Sequence, residues 1–353
     1  MNEPSGGVCQ FACLHKLSFT NAIKSITVSS MRTNIFKTFV FTAFCLGLSL
    51  SMPLHAQNWP EKPIKVVVPL PPGGPSDIVL RNAAAKILQN LKQPIVIENR
   101  PGANGNIGTA EVARSPGDGY TWLWTTDTTL TVNPHVYEKM QFKASDLQAV
   151  IRASTFSQTL VCNPQTGIKT VGELVKKAKE SNITYATGGA GSPGHLTTEL
   201  FSSFAGIQMT HVPYKGPAPA VQDMLGGQVA CGFLAGPTVL PHVRAGRLTA
   251  LAVSGNKRSP LLPEVPTVAE SGFPKFDATF SLVMFAPKST PTHVVQKMYE
   301  SMAEALKSQE LIEKLAQSDQ SVAASSPSET AARLDQDTQR WGEVARRINL
   351  RLD

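Results

Sequence analysis

The sequence lacks three short motifs that mark nucleoside-triphosphate-binding proteins, serine hydrolases and zinc proteases. It contains no G-x-x-x-x-G-K phosphate loop, no G-x-S-x-G nucleophile elbow and no H-E-x-x-H zinc motif. Its 7 histidines are scattered along the chain, and no histidines cluster near its cysteines in a metal-binding spacing. We therefore expect no metal, no cofactor and no enzymatic activity.

Clusters of basic residues are also missing, although basic residues are in excess. The 353 residues include 33 Lys and Arg against 26 Asp and Glu, which gives a formal charge of +7. No extended run of Lys or Arg occurs, and no basic stripe is interleaved with aromatic side chains. The sequence therefore argues against nucleic acid as a partner.

The apolar run near the N-terminus is too short for a membrane-spanning helix. It extends over Phe39–Leu50, well below the ~20 residues that a span needs, and it follows a basic segment that begins at Met31. Pro53 and the small residue Ala56 come next, which is the order of a secretory signal peptide. We expect translation to start at Met31, residues 1–56 to be a dispensable extension plus signal peptide, and the mature chain to be exported with a charge of +4.

Strand-like and helix-like segments alternate along the rest of the chain. The buried run Ile64–Pro69 precedes a helical pattern over Asp77–Leu91, and similar pairs continue to the strand-like segment Leu248–Val253. Such alternation predicts an α/β fold with parallel sheets and right-handed crossovers.

No Pro, Gly or Ser-rich linker separates two domains. A chain of this length nevertheless holds about two domains. We therefore predict two lobes that share crossing strands near Thr155–Cys162 and Ala250–Gly255. The predicted lobes are residues 57–157 with 255–353, and residues 158–254.

Cys162 and Cys231 remain after the predicted cleavage site. In an exported protein an even pair of cysteines can form a disulfide. Both lie in strand-like apolar runs, so two buried thiols fit the pattern equally well, and only geometry decides between them.

Three glycine-rich turns each lead from a strand-like run into a helix, at Pro71–Asp77, Pro101–Gly108 and Gly188–His195. Glycine lets backbone N–H groups face a ligand, and a helix N-terminus carries about half a positive charge. Ser76 and Ser192 could add hydroxyl donors or cap their helices. Turns from different lobes would thus form an anion site across a cleft without Lys or Arg. Each turn taken alone, however, also has the composition of an ordinary helix start.

The third turn formally matches the dinucleotide fingerprint G-x-G-x-x-G over Gly189–Gly194. A dinucleotide site also needs an acid ~20 residues further on, to hold the ribose. The segment His211–Gly216 contains no acid, so we do not expect a nicotinamide cofactor.

Seven ordered motifs over nearly Trp59 to Leu350 resemble the periplasmic solute-binding proteins of tripartite tricarboxylate transporters, the Bug family. The motifs are Trp59–Ile64, Pro71–Asp77, Asn99–Gly108, Asp118–Thr121, Asn133-Pro134, Gly191–Leu196 with His211–Gly216, and Leu225–Val229.

The resemblance implies a two-lobed periplasmic-binding-protein-like fold of type II, in which each lobe is a mixed sheet flanked by helices. It implies a monomer in the periplasm that binds a small carboxylate and delivers it to membrane transporter subunits. Together with the turns, it suggests the ligand-binding residues Gly73, Gly74, Pro75, Ser76, Asp77, Asn104, Thr126, Asp127, Gly189, Ala190, Ser192, Pro193, His195, Tyr214 and Lys215. Of these, Asp77 would hold its loop rigid, and Asp127, Tyr214 and Lys215 would tune specificity.

Three positions depart from the pattern of the family. Asp127 stands where many members have a small hydroxyl residue or Gly, Gly194 replaces a Ser, and Ala230 replaces an Asp. An acid in the cleft would repel a second carboxylate or hold an amine, so a simple dicarboxylate such as succinate is disfavoured. Two alternatives use the same fold: a sensor that presents the carboxylate to a histidine kinase, and an exported enzyme.

Overall fold

A computed structural model describes residues 59–72 and 75–352. The predicted signal peptide in residues 1–56 and the predicted ligand contacts Gly73 and Gly74 lie outside the described residues.

Two mixed β-sheets organise the described chain. The first has six strands and draws all of them from the range predicted for the first lobe. In hydrogen-bonding order they are β11 (Gln320–Ser325), β4 (Leu147–Phe156), β10 (Phe280–Pro287), β3 (Thr121–Thr126), β1 (Ile64–Val68) and β2 (Ile95–Asn99). Strand β1 pairs in parallel with β2 and β3, whereas β10 is antiparallel to both of its neighbours.

The second sheet has five strands, all from the range predicted for the second lobe. Their order is β7 (Thr210–Pro213), β6 (Thr184–Thr187), β8 (Cys231–Ala235), β5 (Gln158–Cys162) and β9 (Thr249–Val253). Strand β6 is parallel to β7 and β8, and β5 is antiparallel to β8 and β9. The parallel sheets predicted from the alternation of strands and helices are therefore wrong in part, because β10 and β5 join each sheet antiparallel to their neighbours. The lobe boundaries themselves stay a prediction.

Helices flank both sheets. In chain order they are α1 (Pro75–Leu91), α2 (Asn106–Ala113), α3 (Thr128–Thr131), α4 (Asn133–Val136), α5 (Val171–Glu180), α6 (Pro193–Ala205), α7 (Pro217–Leu225), α8 (Gly236–Arg244), α9 (Thr292–Ala305), α10 (Gln309–Gln317) and α11 (Pro327–Arg347). Several begin at caps that the sequence displays. The hydroxyl of Ser326, for example, accepts a hydrogen bond from the amide of Glu329 at 3.3 Å, as part of a capping box.

Strand β10 shows why the first sheet is so well buried. All eight residues of Phe280–Pro287 are buried, because the strand lies between β3 and β4 and is covered on both faces. The ring of Phe280 stacks on Trp341 of α11 with centroids 5.2 Å apart. Trp341 also belongs to the core cluster that contains Phe201 and Phe233, so α11 ties the two sheets together.

The connection between the sheets is short and hydrogen-bonded. Strand β4 ends at Phe156 and β5 begins at Gln158, so one residue separates them. The hydroxyl of Ser254 accepts from the amide of Gln158 at 2.9 Å and donates to the carbonyl of Ala278 at 2.8 Å. The two crossing segments are thus hydrogen-bonded to each other, and their pairing continues along β5 and β9.

Cys162 and Cys231 form a disulfide. They lie directly opposite each other in the antiparallel β5–β8 pair, which brings their Cα atoms to 4.0 Å. The disulfide alternative is therefore confirmed over that of two free thiols.

Candidate functional site

A cavity of about 320 Å³ lies between the two sheets. Leu70, Ser76, Thr126 and Leu282 line it from the first sheet and its helices, and residues around the starts of α6, α7 and α8 line it from the second. The connection at Ser157 forms part of the wall, so the cavity lies beside the point where the chain crosses between the sheets.

Four helices begin at this cavity. Ser76 in the first turn of α1, Pro193 of α6, Pro217 of α7 and Gly236 of α8 all contribute to its wall. The first turn of a helix has N–H groups without intrahelical partners and a partial positive charge. No Lys or Arg is among the described residues that line the cavity. The site can therefore attract an anion through backbone dipoles alone.

Ser76 is the most direct hydrogen-bond donor at the site. Its side chain is 9% exposed, and its hydroxyl has no hydrogen-bond partner among the described residues. Its carbonyl accepts from the indole N–H of Trp124 at 3.0 Å, which fixes the start of α1 against the sheet. A buried hydroxyl without a partner destabilises the fold, so a ligand oxygen that accepts a hydrogen bond from Ser76 would be favoured.

Asp77 follows Ser76 but does not line the cavity. Its carboxylate accepts from Arg81 Nε at 2.8 Å and from Asn99 Nδ2 at 3.1 Å. Asn99 Nδ2 also donates to the carbonyl of Leu70 at 3.1 Å, so the acid connects helix α1 to the end of β2 and, through Asn99, to the loop before the helix. These contacts fit the predicted role of Asp77 in holding the loop, which stays a prediction.

The start of α6 is shaped by Ser192 and Gly194. Ser192 caps the helix through its hydroxyl, which accepts from the amide of His195 at 3.4 Å, and it lines the cavity together with Pro193. A Cβ on Gly194 would collide with the carbonyl oxygen of Phe233. Glycine is required here because the helix start packs directly on strand β8.

His195 stabilises the turn over Gly188–His195 and is not part of the cavity wall. Its Nδ1 accepts from the amide of Gly191 at 3.1 Å, and its ring stacks on His211 with centroids 4.0 Å apart. Burial lowers the pKa of His195 to about 3, with a further contribution from His211, and burial lowers the pKa of His211 to about 4. Both rings are thus neutral at neutral pH, and His195 is placed to hold the turn before α6 in position.

Asp127 lies in a different environment from the one that the sequence suggested. Thr126 lines the cavity, but Asp127 is 1% exposed and does not. Desolvation, and next the charge of Asp337 on α11, raise the pKa of Asp127 to about 7. The hydroxyl of Ser281 faces the carboxylate and lowers its pKa in part, yet neither oxygen has a partner of regular hydrogen-bond geometry in the described chain. Asp127 is therefore placed as a buried acid beside α11, away from the cleft.

Five other predicted contacts also lie outside the cavity wall, namely Asn104, Gly189, Ala190, Tyr214 and Lys215. Asn104 Nδ2 donates to the carbonyl of Ala190 at 3.5 Å, which brings the second and third glycine-rich turns together. Tyr214 donates to Asp223 at 2.8 Å, and Lys215 is exposed. Of the predicted residues, the structure thus brings Ser76, Thr126, Ser192 and Pro193 to the cavity; for Pro75, it shows only that α1 begins there.

The sequence predicted a helix over Pro217–Leu225 but did not place its start at the cavity, and it missed helix α8 and one acid. Gly216-Pro217 begins α7 shortly after β7, and Gly236-Pro237 begins α8 directly after β8; both are recognisable signals because Pro is favoured in a first helical turn. Asp319 also lines the cavity. It lies between α10 and β11, and no local motif marks it.

Comparison with known proteins identifies the family. The family model described as the tripartite tricarboxylate transporter family receptor matches residues 79–350. The chain belongs to this family. It is 35% identical over 317 residues to Protein BugT of Bordetella pertussis, with 89% of this chain and 97% of that protein covered.

Solved structures agree with the assignment. Rpa4515 of R. palustris, solved with adipate, is 33% identical with a TM-score of 0.73, covering 82% of this chain and 97% of that one. MatC of Rhodopseudomonas palustris, solved with bound malate, is 27% identical with a TM-score of 0.71, covering 81% of this chain and 99% of that one. The predicted two-lobed α/β fold of the periplasmic-binding type is therefore confirmed, as is the Bug family resemblance.

The described residues contain no cluster of three or more His, Cys, Asp or Glu side chains that could hold a metal ion. None of the helices within them has both the length and the hydropathy to cross a membrane.

Proposed function

We propose that this family member is a periplasmic solute-binding protein that captures a small carboxylate in the cavity between its sheets. Its partners would be the membrane subunits of a tripartite tricarboxylate-type transporter, to which it delivers the ligand as a monomer after export by a signal peptide. The observation that carries the proposal is the convergence of four helix starts on a cavity whose described wall contains no Lys or Arg. The unpartnered hydroxyl of Ser76 supports it, and so do relatives that were solved with adipate and malate.

The two sheets would act as lobes that close on the ligand. Ser76 belongs to the helix beside the first sheet, whereas Ser192 and Pro217 start helices of the second. A carboxylate held between them contacts both lobes, so binding favours the closed arrangement through contacts that an open one lacks. The hydrogen-bonded crossing at Gln158 and Ser254 is the proposed hinge. None of the described contacts favours the sensor alternative.

A first experiment identifies a ligand by thermal unfolding with mono-, di- and tricarboxylates, amino acids and aromatic acids. A ligand at 100 times its Kd should add ~2.7 kcal/mol of stability. If no carboxylate in the panel raises the unfolding temperature, the proposal is wrong.

The second experiment places a negative charge at the site without removing a helix cap. Ser192→Asp keeps an efficient capping side chain at the start of α6 but puts a carboxylate into the cavity wall. Two like charges ~4 Å apart repel by about 4 kcal/mol at an effective dielectric constant near 20. We expect calorimetry to show that the best carboxylate of the panel binds at least ~10-fold more weakly.

The matched control is Ser308→Asp. Ser308 caps α10 in the same way, since its hydroxyl accepts from the amide of Leu311 at 3.3 Å, but it does not line the cavity. It should leave the Kd unchanged. Equal Kd values for Ser192→Asp and the native protein would show that the carboxylate does not bind at the start of α6.

A further inference from the structure

The cavity has one acidic side chain in the part of its wall that the structure describes, and that side chain is Asp319. The residue joins α10 to β11 and has a φ of 53°, in the left-handed region. Its Oδ1 accepts a hydrogen bond from the hydroxyl of Ser259 at 2.5 Å. Its Oδ2 lies directly against Gly236, where a Cβ would collide with it. The carboxylate is thus held in place from two sides, at the start of α8.

The position of Asp319 makes the start of α8 electrostatically different from the other helix starts at the cavity. A helix N-terminus stabilises a negative charge beside it, so Asp319 occupies the favourable position at the start of α8. Burial raises the pKa of Asp319, whereas the hydroxyl of Ser259 lowers it by stabilising the charged form. In the part of the wall that the structure describes, no acid lies beside the starts of α1, α6 and α7. The wall therefore has an anion-binding part and one fixed negative group.

Apolar side chains cover much of the remaining wall. Leu70, Phe156, Phe233, Leu234 and Leu282 all line the cavity. They can contact a hydrocarbon chain but offer no side-chain partner to a second carboxylate. A second ligand carboxylate near Asp319 would meet like charge, whereas an ammonium group there would form an ion pair.

We propose that Asp319 determines specificity, and that the cleft prefers amino acids whose amino group is separated from the carboxylate by a short carbon chain. The carboxylate would bind at the starts of α1, α6 and α7, the chain would lie on the apolar wall, and the ammonium group would pair with Asp319. This inference rests on the carboxylate-binding function proposed above. It also assigns the amine-selecting role to Asp319 rather than to Asp127, which the structure places outside the cavity wall.

The test uses two series of probes matched in chain length. One series is hexanoate, 6-aminohexanoate and adipate, and the other is butyrate, 4-aminobutyrate and succinate. Calorimetry on the native protein should show the amino acid of at least one series binding ~10-fold or more tightly than the dicarboxylate of the same length.

Asp319→Asn is the decisive variant. Asn tolerates a positive φ and can still accept from Ser259, so the local structure should persist, which thermal unfolding checks. The ratio of amino acid to dicarboxylate affinity should fall ~10-fold or more. Asp277→Asn is the matched control, because Asp277 lines a neighbouring cavity of about 290 Å³ but not the cleft. It removes the same charge and should leave the ratio unchanged.

The outcomes separate this inference from the general function. If carboxylates of the wider panel bind and Ser192→Asp weakens them, but Asp319→Asn leaves the ratio unchanged, only the role of Asp319 is overturned. If native protein prefers both dicarboxylates, the inference is equally overturned. Failure of all six probes overturns it as well, and the proposed function falls with it only if the wider panel also fails.

Discussion

The buried carboxyl group of Asp127 should make the stability of this protein depend on pH in an unusual direction. Its pKa in the folded state is about 7, whereas a carboxyl of this type in an unfolded chain has a pKa of ~3.9. Between these values the folded protein keeps a proton that the unfolded chain has lost. The contribution of this group to stability is therefore complete below pH ~4 and is lost as the pH rises towards 7.

The size of the effect follows from the same two values. Each pKa unit corresponds to ~1.36 kcal/mol, so ionising Asp127 in the fold costs about 4 kcal/mol once the pH exceeds both pKa values. Between pH 5 and pH 8 the loss amounts to about 3 kcal/mol. Asp127→Asn removes the titration but keeps the shape of the side chain. The variant should gain about 3 kcal/mol relative to the native protein over this pH interval.

Urea unfolding at pH 5, 6, 7 and 8, followed by tryptophan fluorescence, measures the difference at each pH. The difference is needed because His195 and His211 act in the opposite direction. Their pKa values are lowered in the folded state, so each histidine destabilises the fold as the pH falls below ~6.5. This effect is the same in the native protein and in the variant. Asp335→Asn is the control, since Asp335 is exposed on the same helix as Asp337. A difference that stays constant from pH 5 to pH 8 for Asp127→Asn would refute the buried, proton-holding environment.

Two further predictions concern the framework of the site. Gly194→Ala should destabilise the protein by ~1–3 kcal/mol in urea unfolding, because its Cβ would overlap the carbonyl of Phe233, and an unchanged midpoint would show that α6 does not pack on β8 so closely. Replacing Cys162 and Cys231 together by Ala should cost about 4 kcal/mol, since the disulfide closes a loop with a sequence separation of 69. Identical unfolding of the native and double-variant proteins under oxidising conditions would contradict the pairing.

Local signals in the sequence predicted the elements that local physics determines. The helix α5 begins after Thr170, whose hydroxyl accepts from the amide of Glu173 at 3.1 Å. A cap of this kind can be recognised in the sequence because its two residues are only three positions apart. Strands β10 and β11 were not predicted. Strand β10 pairs with β3 and β4 from far along the chain, so its antiparallel direction follows from long-range contacts that no window of sequence contains.

Of the predicted site residues that line the cavity, three lie at helix starts and one, Thr126, lies at the end of β3. Ser76 and Ser192 follow glycines and precede helical patterns, and both line the cavity. Asp127 shows the limit of this reasoning. It is the neighbour of Thr126 in the sequence, but β3 ends at Thr126 and Asp127 already has helical backbone angles before α3, so Thr126 reaches the cavity while Asp127 is buried beside α11. Asp319 reaches the cavity from a turn that only the folded chain brings there.

A site built from helix starts has a consequence for how specificity can arise. Backbone N–H groups recognise a carboxylate whatever the rest of the ligand is, and they are the same in any sequence that folds this way. Discrimination between ligands must therefore come from side chains that vary around the anion site. In the described wall of this cavity, the apolar side chains would favour a carbon chain, and Asp319 is the one ionisable side chain. A change of ligand class would thus require substitution at a few wall positions such as Asp319, while Ser76, Ser192 and the helices behind them stay in place.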